Sequence, residues 1–173
     1  MELKPLIREV QDFPKPGINF KDITTLLNNG KAFQQVIEEF GAYFKAASPD
    51  VVVGAESRGF ILGAPLAYKL GAGFVLVRKP GKLPAAKEKI TYDLEYGQDA
   101  LEIHVDAIKP GQKVLIVDDL LATGGTISAT TELVKRLGGK IVGFAFLIEL
   151  DFLKGRDKLA GYDVFSLVHY DSE

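Results

Sequence analysis

Thirteen consecutive residues, Val114-Leu115-Ile116-Val117-Asp118-Asp119-Leu120-Leu121-Ala122-Thr123-Gly124-Gly125-Thr126, hold the densest chemistry in the chain. Four apolar residues end at a pair of acids, and a glycine-containing turn then opens a helical pattern. Gly124 and Gly125 allow the backbone to turn inward so that successive amide N–H groups converge. The helix N-terminus that follows brings unpaired donors and partial positive charge, and Thr123 and Thr126 bring hydroxyls. Together with Ala122 these residues form a cradle for one phosphate group. Asp118 and Asp119 would repel a bare phosphate, so they need a different partner. Carboxylates that accept hydrogen bonds from ribose hydroxyls resolve the conflict, and the expected ligand is a sugar phosphate. An aspartate helix cap would explain either acid alone. It does not explain a paired acid beside a cradle.

The elements around this window alternate. Val51-Val52-Val53-Gly54-Ala55 is a short, β-branched run of the kind buried on both faces of a sheet, and an apolar helical stretch follows from Phe60 to Leu70, closed by Gly71. Phe74–Val77 and Val114–Val117 are further strands, the second ending at Asp118. Ile127, Thr130, Val134 and Leu137 step by three and four, so a helix follows the turn and stops at Gly138-Gly139. Ile141–Ile148 and Val164–Val168 complete the strands. Strands that alternate with helices predict an α/β, doubly wound, mainly parallel sheet flanked by helices. Ligands of such sheets sit at the carboxyl edge, where the acids and the cradle fall. Two segments break the alternation. Residues 11–22 carry two prolines and a glycine and read as ordered, irregular chain. Residues 78–105 read as a mobile loop followed by strands, because Ile90-Thr91-Tyr92-Asp93-Leu94 alternates at period two.

Composition narrows the classes. A chain of 173 residues fits one domain, residues 1–173, and buries roughly 70% of its unfolded surface. With 21 basic and 23 acidic side chains, a nonspecific nucleic-acid coat is not expected. There is no cysteine, which excludes a disulfide scaffold, a thiolate nucleophile and a zinc ribbon, and His104 and His169 are too far apart in sequence for a compact metal motif. The opening Met1-Glu2-Leu3-Lys4-Pro5 does not resemble a secretory leader, and no apolar run approaches the ~20 residues of a membrane span. The expectation is a soluble, cytoplasmic protein with no membrane or nucleic-acid partner.

Residues 117–126 resemble the phosphoribosyl-pyrophosphate motif of the type I phosphoribosyltransferases, most closely the members that act on adenine. The similarity extends over nearly the whole chain. Phe13-Pro14-Lys15-Pro16-Gly17-Ile18-Asn19-Phe20-Lys21-Asp22-Ile23 resembles that family's base-covering hood, within about residues 1–30. Glu56-Ser57-Arg58-Gly59-Phe60 resembles its pyrophosphate loop. Arg78-Lys79-Pro80-Gly81-Lys82-Leu83-Pro84 and Tyr92-Asp93-Leu94-Glu95-Tyr96-Gly97 resemble its flexible loop and catalytic segment, within about residues 78–105. The resemblance implies transfer of the 5-phosphoribosyl group from phosphoribosyl pyrophosphate to adenine, giving AMP and pyrophosphate. It also implies a homodimer, and Mg²⁺ held mainly through the substrate, with Asp118 and Asp119 reaching it only through water or ribose.

The same resemblance distributes the roles. Glu95 is the acid/base, with Arg58 and Lys82 also catalytic. Glu56, Ser57, Arg58, Arg78, Lys79 and Lys82 face pyrophosphate, with a cis peptide between Glu56 and Ser57. Phe20 and Leu120 stack on adenine, backbone near Asn19 and Lys21 reads its edge, and Tyr96 shapes the closed loop. Physical reading agrees on the cations. An acidic chain that binds a polyanion must concentrate positive charge, and residues 78–89 set Arg78, Lys79, Lys82, Lys87 and Lys89 against Glu88 alone. The guanidinium fork of Arg58 matches pyrophosphate oxygens.

Rival chemistries fit poorly. Ala55-Glu56-Ser57-Arg58-Gly59 is one substitution from a hydrolase elbow, with Asp119 and His169 in order, but its first position is alanine and no oxyanion glycine run exists. No P-loop sequence occurs, and Leu76 stands where a dinucleotide fold after Gly71-Ala72-Gly73 needs its third glycine. A regulator that senses the sugar pyrophosphate would carry a DNA-binding module, and no segment remains for one.

Overall fold

In a computed structural model that describes residues 1–93 and 97–172, a one-turn helix at Lys4–Leu6 leads into β1 (Arg8–Val10), which pairs antiparallel with β2 (Phe20–Asp22). The chain between them turns at Asp12 and Gly17, and its Phe13–Pro14 peptide is cis. Residues 20–22 are therefore strand, where the sequence reading has irregular chain. Their backbone groups are taken up by residues 8–10, a pairing that local composition does not reveal.

A single turn of helix, α1 (Thr24–Leu27), precedes α2 (Gly30–Phe44). The longest helix of the molecule was not among the expected elements, although its signals are present. Asn29 caps it by accepting from the Ala32 N–H at 3.2 Å, and Ala32, Val36, Ile37, Phe40 and Phe44 form its buried stripe.

Then follow β3 (Val51–Ala55), α3 (Arg58–Leu70), β4 (Gly73–Val77), the antiparallel hairpin β5 (Lys87–Asp93) and β6 (Gln98–His104), β7 (Lys113–Leu121), α4 (Gly125–Arg136), β8 (Lys140–Leu150) and β9 (Val164–Tyr170). Five parallel strands run in the order β4-β3-β7-β8-β9. Alternate residues of each strand serve opposite cores, as a pleat requires. Val52, Leu115, Val117, Ala145 and Leu147 pack with α2 and α3, while Val53, Val114, Ile116, Phe144 and Phe146 pack with α4 and the hairpin residues Leu101 and Ile103. The fold is thus the expected α/β sheet between two layers, with a hairpin where a helix would otherwise cover the second face.

Two boundaries differ from the sequence reading, and both lie at the carboxyl edge. Strand β7 continues through Asp118 and Asp119 to Leu121, because its ladder with β8 still pairs Asp118 with Phe146 and Leu121 with Glu149. Helix α3 starts at Arg58 rather than Phe60. Gly59 permits this, since a Cβ there would stand 3.0 Å from the Val117 carbonyl oxygen.

The antiparallel pair β1–β2 is fastened to the main sheet at Tyr170. Lys4 Nζ and Lys21 Nζ each lie 4.3 Å from the centre of its ring, and Lys4 Nζ also donates to the His169 carbonyl at 2.8 Å. The Tyr170 hydroxyl is buried and has no hydrogen-bond partner among the described residues. The ring, not the hydroxyl, makes the contact. Tyr170→Phe should therefore leave the melting temperature unchanged or raise it, because an orphaned buried hydroxyl is removed. Tyr170→Leu surrenders two cation–ring contacts of ~1 kcal/mol each and should lower it by roughly 4–8 °C. Differential scanning calorimetry of the two variants checks this, and a destabilised Phe variant would contradict it.

Candidate active site

The strand order reverses between β3 and β7: β3 is followed outward by β4, and β7 by β8 and β9. The two crossover helices leave in opposite directions from that point and open a crevice at the carboxyl ends of the strands. A cavity of about 380 Å³ occupies it. Its walls are Glu56–Arg58, after β3, and Asp118–Ile127, at the end of β7 and the start of α4. Two segments far apart in sequence, each singled out for its chemistry, are thus brought to one place.

The wall from β7 is built as the residue types require. Gly124 has φ 80° and directly precedes α4, so the chain turns through a left-handed conformation and the first turn of the helix opens onto the cavity. Asp118 is half-buried and Asp119 is buried. Burial, reinforced by the charge of Asp119, pushes the Asp118 carboxyl well above the ordinary range. One Asp118 oxygen also accepts the Asp119 backbone N–H at 2.9 Å. Arg58 Nε donates to Asp119 Oδ2 at 2.5 Å, and its guanidinium carbon lies 5.4 Å from the Phe20 ring centre. Arg58 therefore links the N-terminal pair of strands to the buried acid, and at 47% side-chain exposure it still faces the crevice. Leu120 lines the cavity, and Asn19 and Phe20 are half-buried. Lys21 is buried and donates to Glu9 Oε2 at 3.0 Å, and Asn19 Nδ2 donates to the same oxygen at 2.6 Å.

The wall from β3 joins the basic segment. The Glu56–Ser57 peptide is cis. Glu56 accepts both nitrogens of the Arg78 fork at 3.3 Å and the Lys79 backbone N–H at 2.9 Å. The N–H bond from Lys79 does most to hold the Glu56 carboxyl below its ordinary range, with help from Arg78 and the nearby Lys82. Lys79 pairs through its ammonium with Asp99, and Lys82 is exposed. Arg78, Lys79 and Lys82 thus stand beside the cavity rather than in its wall, and the first two are engaged by carboxylates. Glu95 and Tyr96 lie outside the described residues.

Tyr92 was not among the expected site residues. Its hydroxyl donates to Asp99 at 3.2 Å and lies 3.4 Å from Thr126 Oγ1, so the β5–β6 hairpin rests on the threonine that opens α4. Its place in the period-two alternation, on the face of Ile90, was the available signal.

A family model described as the phosphoribosyl transferase domain matches residues 22–169. An adenine phosphoribosyltransferase of Clostridium perfringens is 61% identical over 171 residues, 99% of either chain, and one of Desulfitobacterium hafniense is 56% identical over 170 residues, 98% of either chain. Among solved structures, adenine phosphoribosyltransferase from Thermoanaerobacter pseudethanolicus superposes with a TM-score of 0.95 at 56% identity, covering 98% of each chain. The Saccharomyces cerevisiae enzyme, solved with D-2,5-dideoxy-2,5-imino-altritol 1,6-bisphosphate and adenine, superposes with a TM-score of 0.91 at 45% identity, covering 96% of each chain.

The acid pair has a measurable cost. A carboxyl whose pKa is higher folded than unfolded binds its proton more tightly in the folded state. Stability is then complete below the unfolded pKa and is lost as pH rises through the folded one. Asp118→Asn should accordingly raise the melting temperature relative to the parent, by little near pH 4 and by more at pH 8. Melting curves across that interval check it, and a pH-independent difference would count against a raised Asp118.

Proposed function

The chain belongs to the phosphoribosyl transferase family, and from that membership and the cavity at the β3–β7 crevice we infer an adenine phosphoribosyltransferase. It transfers the 5-phosphoribosyl group from phosphoribosyl pyrophosphate to adenine and releases AMP and pyrophosphate, a reaction of purine salvage. One observation carries the reading from geometry: a paired acid and the glycine turn that opens α4 share one cavity with the arginine that starts α3.

In this reading Ala122–Thr126 hold the 5-phosphate, with the amides at the start of α4 and the hydroxyls of Thr123 and Thr126 as donors. Asp118 and Asp119 accept from the two ribose hydroxyls. Arg58, Arg78, Lys79 and Lys82 meet pyrophosphate, and Glu56 and Ser57 shape the turn that receives it. Arg58 and Lys82 stabilise the leaving group as the bond to the sugar breaks through an oxocarbenium-like state. Adenine lies between Phe20 and Leu120, with backbone at Asn19 and Lys21 on its edge and Tyr96 closing over it. A ring nitrogen attacks the sugar as the base sheds a proton, and the Glu95 carboxylate takes that proton up. Tyr92 and Asp99, register partners on either side of residues 94–96, stand by Thr126, which supports placing this chemistry beside the cradle.

The donor set suits Mg²⁺, a hard cation that leans on one or two carboxylates and on substrate phosphates. Asp118 and Asp119 would hold it through water or ribose, and the ion would neutralise charge building on pyrophosphate. A single domain over residues 1–173, with the hood at about 1–30 and a flexible loop within 78–105, belongs to the same proposal. So does a homodimer, supported by Ile61 and Tyr68, which are exposed seven residues apart on α3, and by exposed Leu76 on β4. A cytoplasmic setting is supported by the charge of the substrate, which does not cross membranes unaided. Among the described residues, no helix is long and apolar enough to span one.

Incubation with Mg²⁺, phosphoribosyl pyrophosphate and one nucleobase at a time tests the reading. AMP should form from adenine, and conversion of hypoxanthine, guanine or uracil in its place would overturn it. Glu95→Gln should lower kcat by about 10²-fold or more with KM for the sugar substrate little changed. Steady-state rates with unaltered kcat would remove Glu95 from the chemistry.

A further inference from the structure

We infer that the turn Gly155–Leu159, anchored by Arg156 on buried Glu149, fixes the position of the phosphate loop, so that Gly155, Arg156 and Glu149 are positioning residues for phosphoribosyl pyrophosphate. The inference rests on the reading of residues 122–126 as that loop.

A loop that presents converging amides to an anion must send its carbonyls elsewhere. The Ala122 carbonyl is directed at Gly155: a Cβ on Gly155 would fall 2.2 Å from that oxygen and 3.1 Å from the Gly124 nitrogen. In the other direction, a Cβ on Gly124 would fall 3.0 Å from the Gly155 carbonyl oxygen and 3.2 Å from Lys158 Cδ. The two backbones touch with no side chain between them. Any shift of the turn is therefore passed to the loop.

The turn itself is held firmly. Lys154, at φ 54°, donates its backbone N–H to the Asp151 carbonyl at 3.1 Å and reverses the chain into Gly155. Arg156 then forks onto Glu149, Nε to Oε1 at 2.8 Å and Nη2 to Oε2 at 2.5 Å, while Nη1 reaches the Val164 carbonyl at 3.0 Å. Ser166 Oγ donates to Glu149 Oε2 at 2.6 Å. Glu149 is 3% exposed and is the register partner of Leu121, the residue before Ala122. The circuit closes: Leu121 leads to Ala122, which meets Gly155, which is tied through Arg156 and Glu149 back to the strand beside Leu121. Asp151 and His169 stand near Glu149, but both Glu149 oxygens are already taken by Arg156 and Ser166, so the group reads as an anchor and not as a cation site.

The test compares the parent with Gly155→Ala, which forces turn and loop apart, and Arg156→Lys, which keeps the charge and gives up the fork. Circular dichroism establishes folding, and initial rates are taken over phosphoribosyl pyrophosphate and over adenine. KM for the sugar substrate should rise about tenfold or more in Gly155→Ala and to a smaller extent in Arg156→Lys, with kcat and KM for adenine within about threefold of the parent. A purely structural role would lower the active fraction, hence kcat, and leave KM alone; that pattern, or parental KM in both variants, overturns the inference. If Gly155→Ala does not fold, Arg156→Lys decides, and failure of both to fold assigns the circuit to stability and overturns it too. A parent that makes no AMP would instead mark failure of the proposed function.

Discussion

Two adjacent carboxylates at the inner end of β7 constrain everything near them. Unit charges about 4 Å apart repel by ~4 kcal/mol at an effective dielectric of 20, and here the environment is partly dry. The structure tolerates the pair in two ways. Arg58 neutralises Asp119 from the start of α3, and Asp118 is held toward its protonated form by burial. The first needs α3 to begin close to β7, and Gly59 makes the approach possible, since a Cβ would crowd the Val117 carbonyl and an Asp118 carboxylate oxygen at 3.0 and 3.1 Å. The order of the sheet follows the same need. Only where β3 and β7 adjoin can a helix after one strand neutralise acids at the end of the other.

Arg58 also couples the two halves of the proposed reaction. One guanidinium lies by the Phe20 ring and on the Asp119 carboxylate, so the segment proposed to cover the base and the acid proposed to bind the sugar share a single cation. The segment keeps its own anchors at Lys21, Glu9 and Tyr170, away from the crevice. Phe20 is then presented by a braced strand, and a base stacked on it, as proposed, does not have to supply its order.

The wall of the crevice at Asp118–Thr126 was legible because its chemistry is local: acids, glycines and threonines within one window single it out before any fold is known. The strands were legible for a related reason, since a sheet buried on both faces needs unbroken β-branched runs. Contacts between segments were not. Pairing of residues 8–10 with 20–22 spans a turn rich in proline, and the meeting of Gly155 with Ala122 exists only in three dimensions. The edge of β7 was read short because acids ordinarily end a buried strand, whereas here a neighbouring helix and the ladder to β8 carry it further. Glu95 and Tyr96, where family resemblance is the whole argument, fall outside the described residues.

The basic segment is the most instructive difference. Its sequence offers cations to an anion, yet Arg78 rests on Glu56 and Lys79 on Asp99, just as Arg58, at the start of α3, rests on Asp119. No local reading sees those carboxylates, because they come from other elements. Their presence answers how a chain of net charge −2 handles a polyanion without carrying a permanently positive crevice. On the proposed function, substrate phosphates replace carboxylates as partners of cations already in position. Binding becomes an exchange of ion pairs, in which the charge-assisted bonds gained on phosphate are offset by those released. The surplus then comes from the cradle of amides at Ala122–Thr126, which among the described residues is not engaged by a carboxylate. That is why the position of this loop, more than the count of nearby cations, should govern affinity for the sugar substrate.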